Sequence, residues 1–398
     1  MKRVKKHAII PIFIPHKGCP NDCVFCNQKK ITAHQQPVTG EDVVNTIETW
    51  LSTLEPRGTE TIEAAFFGGS FTGLPVEEQS AYLSIAKRYK DAGRIHKIHM
   101  STRPDYINEA ILDNLKRYGA DTIELGVQSF DDEVLRLSGR GHDSSCVYES
   151  SRLIQEYGFE LGIQLMIGLP GDTLEKDLYS ARETVRIKPS IARLYPTVVI
   201  SDTALYDQYL SGQYQPLDQE TAVFRTKEMY KLLTAAGINI IRVGLKSSDI
   251  LTGEGGTAAG TFHPAFRQLV EGDIAREQLQ QQLEQLLGPQ SQQAQRQVSG
   301  QTGQQAERQI SQQAGQRAQR QVSGQTEPMP GPLPAAPFDQ RIKVDFCANR
   351  RCFSNLIGNS GRNKKFFLEK YPQLHILYKV NDFLSDYQYE VKIKGESL

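Results

Sequence analysis

The 398-residue chain is short of several things, and each shortage narrows its reading. It has no run of about 18 apolar residues, so no part of it reads as a membrane-spanning helix. It has no excess of charge of either sign, with 46 Lys and Arg against 46 Asp and Glu. No global attraction to nucleic acid or membrane follows, and any basic patch must be local. Cysteine is scarce, six in all with three inside eight residues, which is no framework for a secreted disulfide protein and fits a reducing cytoplasm. The basic residues Lys2, Arg3, Lys5 and Lys6 precede the apolar run Ala8 to Ile14. Pro11 interrupts that run and no small-residue cleavage site follows, so it reads as a first strand rather than a signal peptide.

From Ala8 to about Leu245, short β-rich runs alternate with stretches of helical period, the mark of strand-helix units and a parallel sheet. Strands are expected over Ala8–Ile14, Thr61–Phe67, Lys97–Ser101, Thr122–Val127, Leu161–Ile167 and Ile191–Val199. Helices are expected over Gly40–Leu54, Glu77–Ala92, Asn108–Tyr118, Ser144–Tyr157, Leu174–Val185 and Gln219–Ala236. Six such units predict an α/β fold, a partial (β/α)6 barrel over residues 1–250 with a barrel-closing extension over 251–272. After Gly272 glutamine dominates, and Arg-Gln-Val-Ser-Gly-Gln-Thr occurs at Arg296–Thr302 and again at Arg320–Thr326. Residues 273–337 therefore read as a duplicated Gln- and Pro-rich insertion, too poor in bulky apolar side chains to offset the entropy of ordering, and are expected to be disordered. Residues 338–398 regain aromatic and β-branched content and are expected to form a small α+β extension.

The strongest chemical signal is Cys19-Pro20-Asn21-Asp22-Cys23-Val24-Phe25-Cys26, in the loop after the first strand, where strand-end residues face ligands in parallel folds. Thiolate is the soft ligand of iron–sulfur clusters, and four close a [4Fe–4S] site. Three local cysteines leave one iron open to a substrate or cofactor. A structural zinc site is the first alternative, but Cys347 and Cys352 are too widely spaced to make a convincing second pair. An electron-transfer cluster is the second, and it wants a nearby fourth cysteine that is missing.

Further strings follow in order: Phe66-Phe67-Gly68-Gly69-Ser70-Phe71, Ser101-Thr102-Arg103-Pro104-Asp105, Glu124-Leu125-Gly126-Val127-Gln128-Ser129, Arg140-Gly141-His142, and Gln164 before Met166-Ile167-Gly168-Leu169-Pro170-Gly171. Taken singly they are weak. Two glycines after a strand also read as a plain turn, and Arg140 as a surface arginine. Together with the cysteine run they resemble the signature of the radical S-adenosylmethionine (SAM) superfamily, over about Ile9 to Gly244. The resemblance implies that Cys19, Cys23 and Cys26 ligate the cluster and that SAM chelates the fourth iron. One electron then cleaves SAM to methionine and a 5′-deoxyadenosyl radical that abstracts hydrogen. It also implies cofactor contacts: Phe25 near the adenine, Gly68 and Gly69 at the SAM amino group, Gln128 at the ribose or carboxylate, and Arg140 on the carboxylate. Thr102 and Gln164 complete the set. A one-electron donor such as flavodoxin or ferredoxin is implied as partner.

Among branches, the strings look most like the catalytic subunit of Elongator and its bacterial and archaeal relatives, with oxygen-independent coproporphyrinogen oxidases more distant. Two departures stand out. Ser101 replaces the Glu common before Thr-Arg-Pro-Asp, and the roughly sixty residues after Phe338 are too few for the acetyltransferase domain of Elongator-type proteins. The match to an acetyl-CoA loop, Arg136 to Gly141, falls inside the barrel. Carboxymethylation of a wobble uridine is therefore not carried over intact.

Other features are weaker. Gly253-Glu254-Gly255-Gly256 reads as a flexible turn rather than a phosphate loop, and Cys146 as a core thiol. Residues 341–370 hold eight Lys and Arg against Asp345 and Glu369, interleaved with Phe346, Phe353, Phe366 and Phe367. That segment reads equally as an RNA-contacting surface or a solvated helix face. Three functions are thus open: a radical SAM enzyme acting on tRNA, one acting on a small metabolite such as a porphyrin precursor, or a non-enzymatic cluster protein.

Overall fold

The computed structural model describes residues 7–14, 23–26, 38–245, 257–288 and 341–394. The chain divides into two compact units, Met1–Arg267 and Gln268–Leu398.

The first unit is built on seven parallel strands: β1 (His7–Ile14), β2 (Thr61–Gly68), β3 (Lys97–Thr102), β4 (Thr122–Gln128), β5 (Glu160–Ile167), β6 (Ile191–Pro196) and β8 (Asn239–Val243), hydrogen-bonded in that order. They curl into a partial barrel. Helices α1 (Gly40–Leu54), α2 (Val76–Asp91), α3 (Glu109–Arg117), α5 (Ser144–Glu156), α6 (Leu174–Ile187) and α8 (Gln219–Ala235) alternate with the strands. Their starts are fixed by short polar side chains. Thr39 and Asp42 cap α1 reciprocally, and Asn108, Asp143, Thr173 and Asp218 each accept a first-turn N–H.

Strand residues alternate between two different environments. Ile62, Ala64 and Phe66 of β2, Ile123 and Leu125 of β4, and Ile163 and Leu165 of β5 are buried on the outer, helix-covered face. The Phe66 ring lies 6.5 Å from Tyr82 of α2, which marks that face. Each fully buried aliphatic contributes about 1.5–3 kcal/mol by leaving water. The opposite, inner face carries Glu63, His99, Glu124, Gln164 and Arg193, a polar layer inside the curl.

The expected strands and helices are present with ends shifted by a few residues, and two differences have physical causes. The run Ile191–Val199 is not one strand: Pro196, which has no N–H to donate, ends β6, and β7 (Val198–Ile200) pairs antiparallel with β9 (Thr257–Gly260) in a separate two-stranded sheet. A seventh parallel strand, β8, also follows α8. It is only five residues long and starts two residues after Gly237, so neither length nor composition announces it.

The second unit holds most of a helix over 266–288, α9, together with β10 (Ile342–Ala348), α10 (Phe353–Ile357), α11 (Arg362–Lys370), β11 (Leu374–Val380) and β12 (Tyr389–Lys394). Strand β10 lies between a parallel β11 and an antiparallel β12. The expectation of disorder from residue 273 is corrected for 273–288. Ala275, Leu279 and Leu283 recur every fourth residue and bury against Val344, Phe346, Leu356 and Phe367. Residues 289–337 lie outside the described residues, as do Gly253 to Gly256. Among the described residues no helix is long and apolar enough to cross a membrane.

One side chain closes the second unit's helical turns: Asn363 Nδ2 donates to the carbonyls of Gly272 at 2.7 Å and Asn355 at 2.9 Å, fully buried. Asn363→Ala orphans both carbonyls and is expected to cost about 2–3 kcal/mol. The exposed Lys364→Ala control should stay within about 0.5 kcal/mol. Urea midpoints of the full chain measure both.

Candidate active site

The described part of the cysteine run, residues 23–26, is clamped at both edges. Val24 donates its N–H to Ser138 O at 3.0 Å, just past α4 (Asp132–Leu137), and its carbonyl accepts from Leu205 N at 2.8 Å, in the first turn of α7 (Ala204–Leu210). Val24 and Phe25 pack against Val199, Leu205 and Tyr214, with Tyr206, Tyr209 and Ala259 around them. The peptide backbone thus turns back at Cys26, whose N–H donates to Cys23 O at 2.9 Å. Cys19 lies outside the described residues.

Two guanidinium groups meet the buried Cys23 sulfur. Arg140 Nη1 stands 3.3 Å from Sγ and Arg103 Nη1 3.7 Å. Arg103 is held by Asp105, at 2.9 and 2.8 Å, and by the Arg140 carbonyl; Arg140 in turn donates to the Gly126 carbonyl. Arg103 belongs to a quoted string but was not among the expected site residues. Its role depends on the η turn at Pro104–Tyr106, which brings Asp105 back onto it.

The remaining expected contacts sit at or near the strand ends. Gly68 has φ 122°, and a Cβ there would collide with the Ile14 carbonyl oxygen; Gly69 N–H donates to that same oxygen at 3.2 Å. The glycine pair therefore seats the end of β1 directly before the cysteine loop. Gln128 ends β4 at φ 73°, beyond a register shift after Gly126, and its Oε1 is buried with no partner. A strained backbone and an orphaned buried acceptor are the features expected of a position that faces a ligand. Thr102 spends its hydroxyl elsewhere, at 2.6 Å from both Ser70 and Thr72, tying the end of β3 to the turn after β2. Gln164 lies deeper, its Nε2 donating to Glu124 Oε1 at 2.7 Å.

That carboxylate centres an inner layer that sequence reasoning missed. Glu124 is fully buried, with His99 Nε2 at 3.0 Å and Arg193 Nε at 2.6 Å, while His99 Nδ1 lies 3.4 Å from Glu63 and His7 Nε2 2.8 Å from Glu63. Burial would raise the Glu124 carboxyl, but the Arg193 charge and the His99 hydrogen bond hold it below its usual range. Burial would likewise raise Glu63, yet hydrogen bonds from His7 and His99 bring it down to about 2. Burial opposes the charge on His99, and its bonds to Glu124 and Glu63 outweigh that and raise it. The signal was present as alternating polar residues in β2 to β6, but only pairing of the strands makes it a network.

The donor set fits the cofactors that the cysteine run implies. Cys23 and Cys26 carry the soft sulfur donors such a cluster would need, two guanidinium groups stand on the Cys23 sulfur, and Gln128, Gly68 and Gly69 offer an unpartnered polar atom and bare backbone at the strand ends. The family description "Radical SAM superfamily" matches residues 13–181, and "Radical_SAM C-terminal domain" matches 189–276. The chain belongs to the radical SAM superfamily. It is an enzyme, and the superfamily's cofactors are a [4Fe–4S] cluster and SAM.

Two curated relatives illustrate the range. A tRNA uridine(34) acetyltransferase of Methanocaldococcus infernus is 26% identical over 254 residues, 54% of this chain and 48% of that protein. The heme chaperone HemW of Bacillus subtilis is 27% identical over 250 residues, 59% of this chain and 64% of that protein. The chain spans about half the length of the first of these relatives. A solved structure of archaeal Elp3 from Methanocaldococcus infernus superimposes with a TM-score of 0.57 at 21% identity, covering 70% of this chain and 64% of that one, and shows the shared fold.

Replacing Cys23 with Ala is expected to abolish iron retention and SAM cleavage in the anaerobically reconstituted protein, whereas Cys347→Ala should keep both. Iron content and 5′-deoxyadenosine yield report the outcome. Glu124→Gln leaves His99 and Arg193 without their buried counter-charge and should cost about 3–5 kcal/mol near neutral pH. Linkage gives the pH signature. Stability from His99, whose folded pKa is raised, is present below 6.5 and lost as pH rises through the folded value. Stability from Glu63 is present above 4.5 and lost as pH falls toward about 2. In the Gln variant the alkaline decline should shrink, as read from urea midpoints at pH 6 and 8.

Proposed function

We propose that this enzyme abstracts a hydrogen atom during modification of tRNA, at the wobble uridine. The observation that carries the reading is the similarity to tRNA uridine(34) acetyltransferases across the barrel that holds Cys23, Gln128 and Arg140. When bound and reduced, the cluster supplies the electron that cleaves SAM to the 5′-deoxyadenosyl radical. The chain's own groups have separate tasks. Cys23 and Cys26, with Cys19, hold the iron; Arg103 and Arg140 balance thiolate charge. Gln128 offers its free acceptor to a SAM hydroxyl or ammonium, and Gly68 and Gly69 allow SAM to approach the backbone. Phe25, packed on the apolar cluster of α7, faces the adenine. Acetyl transfer is not proposed, and flavodoxin or ferredoxin is the proposed electron source.

The basic segment of the second unit supports an RNA partner in a form different from the expected one. Lys364, Lys365, Lys370 and Arg362 are exposed on α11, but Phe346 and Phe367 are buried in the core, so they are unavailable for base stacking. Phe383, in the turn between β11 and β12, is fully exposed. A second reading, a small tetrapyrrole-related substrate, is favoured by the match to 64% of the heme chaperone's length.

The two separate in one assay. Reconstituted, dithionite-reduced protein is given SAM with tRNA or with porphyrin precursors, and 5′-deoxyadenosine is quantified. The tRNA reading expects stimulation by tRNA, binding that weakens with salt at a log–log slope of about −0.7 to −0.9 per phosphate contact, and an altered nucleoside profile in a deletion strain. Salt-insensitive or absent tRNA binding together with an unchanged profile would sink it.

A further inference from the structure

One register row crosses the inner face of the barrel beneath its mouth: Gly126 pairs with Gln164, Gln164 with Arg193, and Arg193 with Arg242. Two arginines are therefore register partners on β6 and β8, on the face away from the helices. Like charges directly opposed on neighbouring strands destabilise a sheet, the more so where water is scarce. Arg193 is 9% exposed and Arg242 half-buried.

Local anions do not cancel the pair. Glu124 is the carboxylate on Arg193, and it is shared with His99 and Gln164; the Nε contact is an ion pair that leaves the buried Nε–H without an aligned acceptor. The Arg193 plane lies over the Phe67 ring, 5.0 Å from its centre, and Nη1 reaches only the Tyr195 hydroxyl at 3.4 Å. Among the described residues no carboxylate pairs with Arg242. Stacking and the Glu124 contact fix the Arg193 fork in one orientation, which is how a bidentate oxyanion site is pre-organised.

We propose that Arg193 and Arg242 form a subsite inside the barrel for an oxyanion, carboxylate or phosphate, carried by the molecule that the radical attacks. Gly126, at the other end of the same row, lies against the Gln128 amide and Arg140, whose Nη1 reaches the Cys23 sulfur. Two strand spacings, about 10 Å, separate the Arg193 backbone from that of Gly126. The inference rests on the radical SAM reading for its purpose, but not on tRNA being the substrate.

The test uses the full-length, anaerobically reconstituted protein, with SAM absent and present, and titrates succinate and inorganic phosphate at constant ionic strength by calorimetry. Saturable binding of either probe is expected in the wild type, retained with SAM, and the preferred probe identifies the anion as carboxylate or phosphate. Arg242→Gln should weaken it roughly tenfold or more by removing one charged hydrogen-bonding partner. Arg242→Lys, which keeps the charge but loses the fork, should be intermediate. The unliganded Arg242→Gln protein should melt no lower than wild type, because its like-charged neighbour is gone. Should Arg242→Gln fail to fold, the Arg242→Lys titration decides. The proposal is overturned if neither probe saturates the wild type, or if the variants bind as tightly as it does. Since neither tRNA nor SAM turnover enters the measurement, a failed tRNA reading and a failed anion site give different results.

Discussion

A single buried carboxylate organises the inside of this barrel. Glu124 meets His99 from β3, Gln164 from β5 and Arg193 from β6, so side chains of four consecutive strands are oriented about one charge. A lone carboxylate in that position would take up a proton or unfold the site; a partnered one imposes direction on everything it touches. The network need not add net stability over an apolar layer of the same volume. What it does is keep polar groups facing inward where a curled parallel sheet otherwise fills with aliphatic side chains, leaving Arg193 fixed and Gln164 committed.

The mouth of the barrel follows the same logic with the opposite sign. There the guanidinium groups of Arg140 and Arg103 gather on the Cys23 sulfur, each also tied to a backbone carbonyl. The two layers meet at Gly126, whose carbonyl Arg140 holds and whose register partner is Gln164. Cluster loop, strand-end strain at Gln128 and buried network are therefore mechanically continuous within the first unit.

Much of this architecture was legible beforehand because it rests on local chemistry. Helical periodicity located α1 to α8 apart from the short α4 and α7, and β-rich runs located six strands. Legibility failed where pairing decides. Strand β8 is too short to stand out, Pro196 splits a run that reads as continuous, and Ala275, Leu279 and Leu283 hide a helix inside glutamine-rich sequence. At the site, the strings exposed Arg140 and Gln128, but a threonine in a strand-end string gave no sign that its hydroxyl would be used by Ser70 and Thr72. Likewise Phe346 and Phe367, in a segment that reads equally as an RNA-contacting surface or a solvated helix face, are core side chains of the three-stranded sheet and its helices.

The family was carried by the sequence alone: three cysteines at short spacing in one loop, followed by ordered strand-end strings, since residue type and spacing along a chain are covalent properties. Only the tertiary structure decided which charges neutralise one another. His99, Glu124 and Arg193 are separated by tens of residues, and their interaction exists only because parallel strands with a two-residue side-chain period set them on one face of the sheet, away from water.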